Sequence, residues 1–123
     1  MMTGVVNAAL EASLRLSVED PRGQLHEVEV ILDTGFNGFL TLPSALIAAL
    51  GLPWLSRQQG QLADGTFQVL DVFAAAILWD GQPRTVEVEA LDAQPLIGMA
   101  LMRGHELRVH VQPGGVVTIA AVP

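Results

Sequence analysis

The chain has no cysteine, and this absence excludes several chemistries at once. Disulfides, a thiol nucleophile and zinc sites built on thiolates are ruled out for these 123 residues, and a reducing compartment is compatible with the composition. Basic residues are also few, with six Lys and Arg against thirteen Asp and Glu and a net charge of −7. Because phosphate binding needs clustered cations, we expect no nucleic-acid partner.

Long apolar runs are missing and charge is sparse. The longest uncharged apolar stretch, from Phe73 to Trp79, is too short to span a membrane. The N-terminal segment lacks the basic start of a signal peptide, so we expect a cytoplasmic protein with no membrane partner. Charged residues make up 15% of the chain, against about 25% in an average soluble domain. Less charge is available to cover the outside, which is compatible with an apolar surface hidden in an oligomer.

Strand patterns dominate what is present. Apolar and polar residues alternate from Leu10 to Val18, turn-forming residues follow, and a second strand pattern covers Leu25 to Leu32. This arrangement predicts a hairpin with one buried face. Asp-Gly pairs at Asp64-Gly65 and Asp80-Gly81 predict two further hairpins. Shorter strands are expected over 39–42, 107–111 and 116–120.

Helical signals are confined to two short segments. Pro43 suits a first helical turn and Gly51 ends a helix, which predicts a helix from Ser44 to Leu50. A second short helix is expected over 99–104. Strands with turns every 8 to 12 residues are typical of a β-sandwich or barrel. We therefore predict one all-β domain over residues 1–123, with one or two short helices.

One carboxylate stands out in the segment VILDTGFNGFLTLP, residues 30–43. Asp33 follows an apolar strand and precedes two glycines, a costly position unless the carboxylate is hydrogen-bonded or used. Pro95-Leu96-Ile97-Gly98 comes about 60 residues later, with the Asp64-Gly65 hairpin between them. These three features, in this order, resemble the retropepsin-type aspartic proteases, especially their short bacterial relatives. The resemblance covers most of the chain, from about Leu25 to Val111.

The resemblance implies a closed pepsin/retropepsin-like barrel, with one lobe per chain and a homodimer around a twofold axis. Asp33 matches the catalytic carboxylate, Thr34 would tie the two loops together, and Gly35 would let the substrate backbone approach. The implied substrate-binding residues lie in the cleft, at a hairpin that closes over bound peptide, and beside the catalytic loop: Phe36, Asn37 and Gly38; Ala63, Asp64, Gly65 and Thr66; and Ile97. The implied substrate is a polypeptide, and no metal or cofactor is implied.

The chemistry independently calls for a second copy of the chain. Peptide hydrolysis by carboxylates needs one ionised group to take a proton from water and one neutral group to polarise the carbonyl. Two carboxylates about 3 Å apart share a proton, yet the chain has a single Asp-Thr-Gly triplet. Asp64 and Asp80 are better explained as turn residues. A twofold axis brings Asp33 to its own copy, so we expect an aspartic endopeptidase that activates water between two Asp33 carboxylates.

Phe36 departs from the family pattern, which has Ala or Ser after the triplet. A Ser there can hydrogen-bond the ionised carboxylate, whereas Phe adds apolar surroundings that favour its neutral form. The hypothesis that follows is a pH optimum nearer neutrality than in acid-active relatives. Phe36 also crowds the expected cleft.

Several alternatives stay open. Asp33 could be an ordinary turn residue, and the chain could form a catalytically silent protease-like dimer that binds peptides or proteins. A third hypothesis is a small β domain that serves only for oligomerisation. His26, His105 and His110 are better explained as structural or solvated residues than as metal ligands. Trp54 and Trp79 are expected in the core or at a dimer interface.

Overall fold

The computed structural model describes residues 1–61 and 63–123. These residues form ten strands and two short helices, so the prediction of a mostly β chain with one or two short helices is confirmed. In chain order the elements are β1 Met2–Val6, β2 Ala12–Glu19, β3 Leu25–Leu32, β4 Leu40–Leu42, α1 Ser44–Leu50, β5 Trp54–Gln61, β6 Phe67–Trp79, β7 Gln82–Ala90, β8 Leu96–Ile97, α2 Met99–Met102, β9 His105–Val109 and β10 Val116–Ala121.

The strands make one mixed sheet that is partly ringed. Its order is β5-β6-β7-β4-β8-β3-β2-β1-β10-β9, and β2 also pairs with β6. That additional pairing, from Ser17 opposite Leu78 to Glu19 opposite Ala76, joins the two ends of the series β6-β7-β4-β8-β3-β2. Apolar side chains from these strands therefore meet inside one shared core.

The predicted hairpin of β2 and β3 is confirmed, and it supplies much of the core. Leu14, Leu16 and Val18 from β2 are buried, with Val28 and Val30 from β3. The predicted start at Leu10 is wrong. Leu10 has φ +61° and is 58% exposed, because it lies in a turn before β2.

Asn7 builds that turn. Its side-chain oxygen accepts hydrogen bonds from the backbone N–H groups of Ala9 and Glu11, at 2.9 and 3.0 Å. A short polar side chain that bonds to nearby backbone competes with regular pairing. The alternating pattern thus extends two residues beyond the strand.

Helix α1 has the predicted bounds, and a glycine explains its end. Gly51 adopts φ +67°, the left-handed region in which glycine has no steric penalty. Its N–H donates to the Ala48 carbonyl, and the Leu52 N–H donates to the Ile47 carbonyl, the hydrogen bonds of a Schellman motif. Helix α2 is shorter than predicted and ends at Met102.

Both Asp-Gly hairpins are present. Strands β6 and β7 are joined through Asp80 and Gly81, with φ of +52° and +79°, the left-handed values that a two-residue type I′ turn requires. Strands β5 and β6 pair from Trp54 opposite Phe73 to Gln61 opposite Phe67, with Asp64-Gly65 in the connection. Among the described residues, no helix has the length and apolar character needed to cross a membrane.

Strand β1 was not predicted. It lies between β2 and β10 in the sheet, and its Gly4 explains how closely it can approach β2. A Cβ atom at Gly4 would overlap the Ser13 carbonyl oxygen. The segment has too little alternation for a strand pattern, and most of its pairing is with β10, over 100 positions away.

Candidate active site

The Asp33 loop begins where β3 ends. The Asp33 N–H donates to the Ile97 carbonyl at 2.9 Å, and the Phe36 N–H donates to the Asp33 carbonyl at 3.1 Å. The Gly35 N–H donates to the Asp33 carboxylate oxygen Oδ1 at 2.9 Å. The backbone is therefore fixed to β8 on one side, while the loop itself supplies a donor to the carboxylate.

Two glycines hold the Phe36 ring beside this loop. A Cβ atom at Gly38 would lie 2.5 Å from Cζ of Phe36. A Cβ atom at Gly98 would lie 2.5 Å from Cδ2 of Phe36, and nearer still to the Gly38 carbonyl oxygen. The ring thus occupies space that a side chain at either position would need, which accounts for glycine at both.

Backbone hydrogen bonds join the start of α2 to the Asp33 loop. The Met99 N–H donates to the Phe36 carbonyl at 2.8 Å, and the Ala100 N–H donates to the Gly38 carbonyl at 3.2 Å. Because these bonds require the two backbones to touch at Gly98, the Leu96-Ile97-Gly98 segment and the Asp33 loop form one packed unit. This contact gives a physical reason for the paired motifs in the sequence.

A cleft of about 660 Å³ runs between this loop and the β5–β6 hairpin. Its lining combines glycine backbone, apolar side chains and two carboxyl groups. The residues are Asp33, Gly35, Phe36, Asn37, Gly38, Thr41, Gly60, Gln61, Ala63, Leu70, Glu89, Leu91 and Leu96. A volume of this size is within the range of small-ligand and peptide sites.

Five of the predicted substrate-cleft or catalytic-loop residues line this cleft together with Asp33: Gly35, Phe36, Asn37, Gly38 and Ala63. Thr34 is exposed and lies outside the lining. Asp64, Gly65 and Thr66 are exposed at the tip of the hairpin and lie outside the lining.

Ile97 requires a correction. Its side chain is fully buried in the core at 0% exposure, whereas its neighbour Leu96 lines the cleft. Successive strand residues point to opposite faces, so only one of the two can reach the cleft. The match to the motif identified the strand but assigned the wrong face.

Thr41, Glu89 and Leu91 line the cleft without having been predicted. Thr41 is buried, and its hydroxyl accepts a hydrogen bond from the Leu96 N–H at 3.0 Å. Val86 and Val88 are buried, and this alternation places Glu89 on the opposite face of β7. The sequence contains that alternation. It does not show which residues lie beside Glu89 on that face, because this depends on the pairing of β4 with β7.

Glu89 has an unusual environment for a carboxyl group. It is half-buried in the cleft wall, and burial raises its pKa above the ordinary value, with a smaller contribution from the negative charge of Glu87. Within residues 1–61 and 63–123, no hydrogen bond or cation offsets this effect. The ionised carboxylate is therefore poorly stabilised by the chain itself.

His26, Trp79 and His105 make contacts within the chain. His26 Nε2 lies 2.9 Å from Asp20 Oδ2, and this hydrogen bond is the main reason that the pKa of Asp20 is lowered. No group of three metal-ligating side chains occurs in the described part of the chain. Trp79 lies in the core, 5.6 Å from the His105 ring. Trp54 is 57% exposed instead, so the core interpretation is wrong for it.

Comparisons with known proteins add no relative. No protein-family model matches the chain, and neither the curated proteins nor the solved structures yield a match. The functional argument therefore depends on the geometry and chemistry of the cleft.

Proposed function

We propose that this protein is an aspartic endopeptidase of retropepsin type, acting as a homodimer. The observation that carries the proposal is the position of Asp33. It lies on a hydrogen-bonded loop in the wall of a 660 Å³ cleft, opposite a projecting β-hairpin. A peptide in that cleft would contact glycine backbone on the loop and apolar side chains around it.

One chain alone does not provide the pair of carboxyl groups that the reaction needs. Among the lining residues only Asp33 and Glu89 carry carboxyl groups. Their strands, β3 and β7, are not neighbours, because β8 and β4 lie between them in the sheet. Among the described residues no hydrogen bond joins the two carboxyl groups, and Asp33 is not among the causes of the raised pKa of Glu89, so the chain itself does not pair them to share a proton.

A twofold axis near Thr34 removes this difficulty. Thr34 and Gly35 are exposed, so a second copy can approach the loop from outside. Met99, directly after Gly98, is a large apolar residue that is 48% exposed. Burial of such side chains favours association, and the same axis would bring the two Asp33 carboxyl groups together.

In the proposed reaction, the ionised Asp33 takes a proton from a water molecule while the water oxygen attacks the peptide carbonyl carbon. The neutral Asp33 of the partner subunit gives its proton to the carbonyl oxygen, which produces a tetrahedral diol. As the diol collapses, one of its hydroxyl groups gives a proton to the ionised Asp33 of the partner subunit. The neutral Asp33 protonates the amide nitrogen at the same time. The C–N bond breaks to release an acid and an amine, and the shared proton is restored.

The test compares wild type with Asp33→Asn on unfolded casein, from about pH 3 to about pH 8. Asn keeps the shape of the side chain and removes its acid–base chemistry. We expect fragments from wild type and a loss of rate of about 10²- to 10⁴-fold in Asp33→Asn. Asp80→Asn is the matched control, because it makes the same substitution at the β6–β7 turn, away from the cleft. That control is expected to retain cleavage.

Mixing the two proteins tests the shared site. If each active site needs one Asp33 from each chain, excess Asp33→Asn protein will lower the wild-type rate by forming mixed dimers. Rates that simply follow the amount of wild type would contradict a shared site. If folded wild type and Asp33→Asn are equally silent on casein and on a varied peptide library, endopeptidase activity is refuted. The non-cutting peptide-binding dimer then becomes the better explanation.

A further inference from the structure

We infer that Glu89 makes the cleft select peptides with an arginine or lysine side chain to one side of the scissile bond. The location relative to that bond rests on the proposed function. Selection of a basic peptide by the cleft can be measured without cleavage.

Glu89 is held in the wall of the cleft by strands on both sides. Its backbone lies opposite Thr41 of β4 and Val72 of β6. Both of these neighbours are buried, which fixes the strand position of Glu89. The backbone that carries this carboxyl group is therefore a fixed part of the cleft wall.

The cleft offers this carboxylate no positive charge. The chain has six arginines and lysines in total, and none is among the cleft-lining residues. Arg57, on the hairpin strand β5, pairs with Asp71 at 3.2 Å. A half-buried carboxylate with no cation gains more from an incoming one than a solvated carboxylate does.

The rest of the lining suits a long side chain with a cationic end. Phe36, Leu70, Leu91 and Leu96 provide apolar surface, along which the methylene groups of Arg or Lys can pack. The guanidinium of arginine can then form two hydrogen bonds with one carboxylate. A small donor such as serine would gain only part of this interaction.

The distance from Asp33 places the selected residue. Three strand spacings along the curved sheet set an upper limit of about 14 Å on the separation of the two strands. An extended peptide advances about 3.4 Å per residue. A long basic side chain also bridges part of that distance. The selected residue is therefore expected within about four positions of the scissile bond.

The binding test uses Asp33→Asn protein, so that peptide is not consumed. Fluorescein-labelled peptides are compared in pairs that differ only by arginine or norleucine, placed two, three or four positions from the central bond. By fluorescence anisotropy, we expect at least one arginine peptide to bind about tenfold more tightly than its norleucine partner. Adding Glu89→Gln should reduce that ratio to about twofold or less, whereas Glu89→Asp should retain part of it.

Glu87→Gln is the matched control. Glu87 lies two residues away on β7 and is exposed. Its substitution by glutamine removes the same charge without changing the lining of the cleft. An arginine preference that survives Glu89→Gln, or that Glu87→Gln abolishes equally, would overturn the inference. So would a cleft that binds none of the peptides while the protein remains folded by circular dichroism.

The two proposals fail in different ways. If wild type cuts nothing but the arginine preference depends on Glu89, the endopeptidase is refuted and the selective cleft stands. If wild type cuts peptides with no Glu89-dependent preference in binding or in kcat/KM, the endopeptidase stands and the inference about Glu89 is refuted.

Discussion

Asp33 and Glu89 line the same cleft but are held in opposite ways. Asp33 receives a backbone N–H from its own loop, and a glycine-rich unit fixes that loop. Glu89 is half-buried with a raised pKa, because burial and the charge of Glu87 oppose its ionisation. One carboxyl group is positioned by short-range backbone bonds, the other only by strand register. Under the two proposals above, Asp33 is the group that carries out the chemistry and Glu89 is the group that a substrate charge would complete.

The largest expected contrast in kcat/KM comes from changing each side chain by one methylene group, with Asp33 lengthened to Glu and Glu89 shortened to Asp. Asp33→Glu moves the carboxylate by more than 1 Å, and a displacement of that size costs about 10²-fold or more when two groups must be aligned. Glu89→Asp should change kcat/KM by less than about fivefold for a norleucine peptide, because its role is attraction of a charge. Similar losses of kcat/KM in both variants would show that the two groups do not have distinct roles.

Gly98→Ala tests the packed unit that holds Asp33. The new Cβ atom would meet the Phe36 ring and the Gly38 carbonyl, which cannot both move without breaking loop hydrogen bonds. We expect the free energy of unfolding in urea to fall by about 1–3 kcal/mol, and cleavage to fall further than folding alone explains. The binding preference set by Glu89 should change less, since β7 lies outside this unit.

Gly51→Ala is the control for that variant. It places an alanine at φ +67° with no atom within 4 Å, so it reports the cost of left-handed backbone without a collision. Its expected cost is about 1 kcal/mol. Equal activity losses in the two variants would contradict a specific role for the contact at Gly98.

The sequence pattern predicted those elements that are determined by interactions between residues close together in the chain. The β2–β3 hairpin, helix α1 and both Asp-Gly turns follow from alternation, Pro43, Gly51 and turn chemistry. The resemblance to retropepsin-type proteases predicted the Asp33 loop with the Leu96-Ile97-Gly98 segment beside it, whereas the close approach at Gly98 itself is seen only in the structure. These features depend on residues next to each other or on motifs with strong steric requirements.

Long-range pairing was not predictable in the same way. Strand β1 forms because β2 and β10 provide edges on both sides, and nothing in its own residues requires that. Glu89 borders the cleft because β4 pairs in parallel with β7, and Ile97 faces the core because of how β8 pairs with β4. A single sequence shows which residues of a strand share a face, but it does not show what each face packs against.

A smaller effect should appear in stability. A carboxyl group whose pKa is raised on folding destabilises the fold in its charged form, so the cost is absent well below the unfolded pKa. It grows as the pH rises through the folded pKa and is constant above it. Glu89→Gln should therefore raise the free energy of unfolding at neutral pH, by less than about 1 kcal/mol for this half-exposed group. Urea titrations at several pH values measure the difference, and Glu87→Gln serves again as the control.

A gain from Glu89→Gln that is as large at pH 4 as at pH 8 would contradict this assignment, since the Glu89 carboxyl should then be neutral at the lower pH. A gain in Glu87→Gln of equal size would attribute the effect to net charge rather than to the cleft.

The smallest effect concerns a third carboxyl group, at the hairpin tip beyond the cleft. Asp64 Oδ1 accepts hydrogen bonds from the Thr66 hydroxyl at 2.6 Å and from the Thr66 N–H at 2.9 Å, and these bonds lower the pKa of Asp64. A lowered pKa means that the ionised carboxylate orders the tip above the unfolded pKa, and that this order is lost as the pH falls through the folded pKa. Asp64→Ala should therefore speed hydrogen exchange of the Thr66 amide at neutral pH. Asp64→Asn keeps the acceptor oxygen without titrating, so its protection should not depend on ionisation. Unchanged exchange in Asp64→Ala would mean that the turn is held by Gly65 and strand pairing alone.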